Sequence, residues 1–69
     1  MITNDQELAA TEASIAWMHA QISNLRKVET NPQNYRASAG GFIAELDRLN
    51  VEVREYLSLH PSEIDQRVA

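Results

Sequence analysis

The chain has 69 residues, 43% of them hydrophobic, with six Lys and Arg against ten Asp and Glu and a formal net charge of −4. That length allows one small domain, and two glycines and two prolines mark a globular rather than a disordered composition. The absence of cysteine excludes disulfides, thiolate zinc sites and cysteine nucleophiles. The acidic balance argues against a phosphate-binding surface, so nucleic acid is not an expected partner. Charge is even along the sequence: residues 1–34 hold two basic and four acidic groups, and residues 35–69 hold four and six.

The opening Met1-Ile2-Thr3-Asn4-Asp5 lacks the basic and apolar regions of a signal peptide, and no apolar run reaches membrane-spanning length. A cytoplasmic protein with no membrane partner is therefore the expectation.

Thr3 reads as an N-cap, with Gln6 completing a T-x-x-Q capping box. Asp5 and Glu7 suit the first turn of a helix and Arg26 and Lys27 its last, because the helix dipole favours that order of charge. The first helix is predicted from about Asn4 to about Val28. Its stripe is Leu8, Thr11, Ile15, Met18, Ile22 and Leu25, in alternating steps of three and four. Glu29-Thr30-Asn31 is the connection. Asn31 caps the second helix and Pro32 occupies its first position, where a missing N–H costs nothing.

The second helix is predicted to run to about Leu59, stopped by Pro61. Its stripe is Tyr35, Ala39, Phe42, Leu46, Leu49, Val53 and Tyr56. Folding the chain at Pro32 pairs Leu8 with Tyr56, Thr11 with Val53, Ile15 with Leu49, Met18 with Leu46, Ile22 with Phe42 and Leu25 with Ala39. Two stripes sharing one register predict an all-α fold, an antiparallel two-helix hairpin with coiled-coil-like packing over residues 1–60. Residues 61–69 are read as a short helical turn or a frayed tail.

Two features complicate this hairpin. Gly40-Gly41 lies inside the second helix, where each glycine costs about 1 kcal/mol relative to alanine. It reads either as a tolerated weak point or slight kink, or as a place where another helix approaches closely. The second feature is an additional apolar face. Ala9, Ala13, Ala16 and Ala20 form a stripe opposite the seam of the first helix, with Ala10 and Trp17 beside it. Ile43 and Leu57 sit just off the stripe of the second. Alanine alone is merely a good helix former, but a tryptophan ring is costly to leave in water. Ala9, Ala13, Ala16, Trp17, Ala20, Ile43 and Leu57 are therefore the candidate interface. A homodimer forming a four-helix bundle is the simplest occupant.

Chemistry-bearing constellations are weak. His19 and His60 have no second histidine at helical metal spacing. His19 is expected near Glu45, as a surface contact without a pocket. Glu45, Asp47, Glu52 and Glu55 interleave with Arg48 and Arg54 as a solvated charged face. No E-x-x-H motif suggests a di-iron bundle, and the serines lack a histidine–acid frame. No catalytic residue, metal ligand or cofactor is expected, and the chain is not read as an enzyme.

The segments Met1-Ile2-Thr3-Asn4-Asp5-Gln6-Glu7-Leu8 and Leu49-Asn50-Val51-Glu52-Val53-Arg54-Glu55-Tyr56-Leu57 resemble a bacterial helical-hairpin segment. That segment is found ahead of Xre-like helix-turn-helix domains in antitoxin-type regulators, and sometimes as a short free-standing protein. The likeness spans about residues 1–57. This chain departs from the regulators in having no helix-turn-helix after Leu59, so DNA binding is not implied. The resemblance implies an association module in a toxin–antitoxin or regulatory setting, and it assigns no functional residue. The expected function is thus a small non-enzymatic protein–protein interaction module that self-associates. The alternative is a small regulatory or antitoxin-like subunit that binds a larger protein partner.

Overall fold

The computed structural model describes residues 1–63 and shows two helices packed as a hairpin, α1 (Asp5–Val28) and α2 (Pro32–Leu57). Among the described residues there is no strand.

The cap of α1 is Asn4, one residue later than Thr3. Asn4 is extended, with φ −155° and ψ 169°, and its side-chain oxygen accepts from the Glu7 N–H at 2.7 Å. The Thr3 hydroxyl donates to the Glu7 carboxylate instead. Asparagine is the stronger cap, which moves the box from Thr3/Gln6 to Asn4/Glu7. Asp5 and Glu7 lie in the first turn and Arg26 and Lys27 in the last.

Three residues make the turn. The Glu29 N–H closes α1 on the Leu25 carbonyl at 2.9 Å, and the Glu29 carboxylate accepts from the Asn31 N–H at 3.0 Å. Asn31 then caps α2, accepting from Gln33 at 2.9 Å and Asn34 at 3.3 Å, with Pro32 at the helix start. At the other end α2 stops at Leu57, two residues before the expected Leu59. The Leu59 N–H reaches back only to Tyr56, at 3.1 Å, a tightened last turn ahead of the Pro61 block. A new turn opens at Pro61, where the Glu63 N–H donates to the His60 carbonyl at 2.9 Å and the Ser62 N–H to His60 Nδ1 at 3.2 Å. The rest of the expected tail lies outside the described residues.

Both predicted stripes face inward. Ala39, Leu46, Leu49 and Tyr56 of α2 are buried, and Tyr35, Phe42 and Val53 are half-buried. On α1 the half-buried set is Leu8, Thr11, Ile15, Met18, Ile22 and Leu25, joined by Gln21, and no residue is fully buried. The pairing along the seam differs from the predicted register. The Phe42 ring meets Trp17, with centroids 5.9 Å apart, although Phe42 was expected level with Ile22. The Tyr56 hydroxyl donates to the Asp5 carboxylate at 2.6 Å, although Tyr56 was expected level with Leu8. Each contact lies roughly one helical turn nearer the start of α1. The three-residue turn sets this slide: counting outward from its flanking residues, Val28 and Pro32, brings Phe42 to Met18.

Ile2 completes the core. It is buried at 6% exposure beside Glu52, Glu55, Tyr56 and Leu59, so the segment before α1 folds over the open end of the hairpin. Replacing Leu49 with alanine should lower unfolding free energy by about 2–5 kcal/mol. The same change at Leu57, 61% exposed, should shift it by under about 0.5 kcal/mol. Urea titrations followed by circular dichroism compare the two; equal losses would show that the seam does not carry the fold.

Candidate interaction surface

In an antiparallel pair of right-handed helices, two flanks run beside the seam, each built from both helices. One is marked by Ala10, Trp17 and Asn24 of α1, seven residues apart, and by Gly41, Arg48 and Glu55 of α2 at the same spacing. The other carries Ala9, Glu12, Ala16 and His19 of α1 with Gly40, Ile43 and Leu57 of α2. Ala13 and Ala20 lie on the back of α1, farthest from the seam.

All seven candidate interface residues are exposed: the four alanines, Trp17 at 57%, Ile43 at 46% and Leu57 at 61%. They do not form one surface. Trp17 is on the flank opposite Ile43 and Leu57, and the alanine stripe divides between the second flank and the back of α1. Trp17 is also tied to the core, because its ring meets Phe42 edge-on at 69°. The indole is therefore held in place by one edge while its remaining surface faces water. Val28, at 63%, and Val51, at 41%, are further exposed apolar residues and belong to neither seam stripe.

The first flank is bordered on α2 by an ion-pair ladder. Arg48 holds the Glu45 carboxylate from Nε, at 3.2 Å, and from Nη2, and reaches Glu52 from Nη1 at 3.3 Å. The hydrogen bond between them holds the Glu45 carboxyl below its ordinary value of 4.5 and the Arg48 guanidinium above its own. The expected His19–Glu45 contact does not form: His19 is exposed, on the other flank, and Arg48 takes the carboxylate. Equal height along the seam is not enough when two residues project to opposite sides.

Folding sorts the charges that are even along the sequence. Arg26, Lys27 and Arg36 cluster toward the turn with Glu29 alone against them. Asp5, Glu7, Glu12, Glu52 and Glu55 gather toward the open end, with Arg54 and the Met1 amino group, 3.0 Å from the Glu52 carboxylate, among them. The hairpin is basic at one end and acidic at the other.

Among the described residues the clefts lie open to solvent. The cleft beside Ile2, Glu52 and Leu59 is about 160 Å³, below the roughly 300–1,000 Å³ of small-molecule sites. A depression of about 380 Å³ between Asp47, Asn50, Val51 and Arg54 lies on one face of α2 among exposed side chains. Among the described residues no group of three or more His, Asp or Glu is placed to hold a metal ion. No helix among them is long and apolar enough to cross a membrane. No protein-family model, curated protein or solved structure matches the chain.

Because Glu45 titrates low, its pairing with Arg48 stabilises the fold above the ordinary carboxylate range and is lost as pH falls through the lowered value. Arg48→Met should return Glu45 toward 4.5 in an NMR titration of the side-chain carboxyl. An unchanged midpoint would show that the ladder does not persist in solution.

Proposed function

We propose that the hairpin is a non-enzymatic protein-association module that self-associates through its exposed apolar flanks, two copies forming a four-helix bundle. One observation carries the reading: α1 buries no residue completely, while the large ring at its middle is 57% exposed and pre-positioned by Phe42. A helix that is apolar beyond its seam is normally sandwiched. An aromatic held at a fixed orientation loses little freedom on docking, which is why such rings serve as anchors in interfaces. Two copies would supply the second layer that a lone pair of helices lacks.

The resemblance to hairpins ahead of Xre-like domains fits an association role and supports a second reading. In it the chain is a small regulatory or antitoxin-like subunit that docks a larger protein through Trp17 and the alanines. The anchored, exposed indole is equally suited to that task. No reading assigns a cofactor.

Sedimentation equilibrium at micromolar concentration separates the two, with the dimer expected for the first reading. Trp17→Glu should reduce it to monomer, since a carboxylate cannot enter a desolvated contact without a partner. A wild type that remains monomeric and folded at about 100 µM, well above the µM dissociation constants of modest interfaces, would reject self-association and leave the larger-partner reading.

A further inference from the structure

We infer that the hairpin carries a second self-association face, the flank of Ile43 and Gly40, on which another copy docks turned end for end. This face is separate from Trp17, which projects from the opposite flank, and it goes beyond the reading above.

The flank is the more open side of the seam. Gln21, Glu45 and Glu52 on the Trp17 side are half-buried, whereas Glu12, His19 and Arg26 of α1 and Arg36, Ile43 and Asn50 of α2 are exposed. Its charges are sorted into two pairs. The Trp17–Phe42 and Asp5–Tyr56 contacts set the helices so that Arg36 stands nearly level with Arg26, and Asp47 with Glu12. The basic pair lies toward the turn. The acidic pair lies roughly 16–21 Å away toward the open end, at 1.5 Å per residue. Farther out, Asp5 and Arg54 offset each other, while Lys27 lies on the back of α1 and Glu29 in the turn.

A copy with its turn beside this turn would set each pair against its own duplicate, and like charges select against that. A copy rotated about an axis lying across the flank sets α1 against α1 and α2 against α2, each antiparallel. The charges fix the position of that axis twice. Midway between Glu12 and Arg26 is His19, which meets its own duplicate there. Midway between Arg36 and Asp47 is the step from Gly41 to Phe42, which the Trp17–Phe42 contact places near the level of His19. One two-fold axis therefore brings Arg26 to the second copy's Glu12 and Arg36 to its Asp47, each twice.

The apolar contact falls on the same axis. Ile43 and Gly40 stand equally far from it, so each Ile43, 46% exposed, meets the other copy's Gly40. Gly40 has no positive φ, and a Cβ built on it meets nothing within 4 Å, so nothing inside the chain requires glycine there. A side chain approaching from outside does. Gly41 faces the other flank and is not explained by this contact. Two isoleucines make a small apolar centre, and exposed ion pairs set orientation more than affinity. The face therefore belongs to the millimolar range, weaker than the contact expected through Trp17.

The test first removes the other face. Trp17→Glu chains at about 1 mM and low salt should diffuse more slowly by NMR than when diluted, and the slowing should vanish in about 0.5 M salt. Adding Arg26→Glu with Arg36→Glu, or Glu12→Arg with Asp47→Arg, should abolish it in each case, and mixing these two variants should restore it. Gly40→Leu should weaken association by about tenfold while raising the unfolding temperature. Trp17→Glu chains that stay monomeric at that concentration in low salt overturn the face. Association indifferent to the charge changes overturns the orientation, and association unaltered by Gly40→Leu overturns the Ile43–Gly40 contact. Because Trp17 is already replaced, these outcomes do not depend on whether the wild type dimerises through it.

Discussion

The one apolar seam between α1 and α2 is the constraint on which everything else depends. Each helix offers one stripe to the other, and each of these stripes is covered by only one neighbour. The consequence is unequal. On α2 Ala39, Leu46, Leu49 and Tyr56 are buried. On α1 the partners Leu8, Ile15, Met18 and Ile22 remain half-open to water. Apolar burial stabilises roughly in proportion to area, at about 25 cal/mol per Å², so partial coverage leaves α1 the weaker contributor. A fold held this way has little redundancy, and its ends have to be fastened separately.

Polar contacts do the fastening. At one end Glu29 and Asn31 satisfy the backbone of a three-residue turn, and the shortness of that turn sets the slide of one helix along the other. At the other end the Tyr56–Asp5 hydrogen bond, to an ionised acceptor and partly shielded, stands beside buried Ile2. A hydrogen bond to a charged group is worth about 1.5–3 kcal/mol, comparable with one well-buried aliphatic side chain. The open end of the hairpin is thus closed by side-chain contacts of Tyr56, Asp5 and Ile2 and by the Met1 amino group on Glu52, rather than by a loop.

The helices, the connection, the Asn31 cap and both seam faces were legible because they depend on local rules: periodicity, capping preference and proline placement. What was not legible depended on geometry across the pair. The register was drawn by matching stripes, but stripes repeating every seven residues match at more than one offset. The length of the turn, not the pattern, chooses among them. His19 and Glu45 were matched by height alone, without regard to side. Ile2 was overlooked because an apolar residue ahead of a cap carries no periodic signal. Trp17 was singled out as an interface residue, yet its contact with Phe42 could not be read from a stripe to which it does not belong. The grouping of Trp17 with Ile43 and Leu57 failed for the same reason, since apolar leftovers share a list without sharing a face.

Charge shows the same loss of information most plainly. Divided into sequence halves, the chain appears balanced, because the division falls at the turn and each half contains one acidic end and part of the basic middle. A hairpin brings the middle of the sequence to one pole and both ends to the other, so balance along the chain becomes polarity along the molecule. Surface charges contribute little individually to stability, and a polar rod gains nothing from this arrangement while alone. It matters when another body approaches. Poles of opposite sign steer and orient an encounter before any apolar surface meets, and a second copy reversed end for end is the one neighbour whose charge pattern is complementary at both poles by construction. A larger protein would need its own matching pair of acidic and basic patches at hairpin spacing. The charge polarity thus bears on how a partner is oriented, while Trp17 by itself favours neither a second copy nor a different protein.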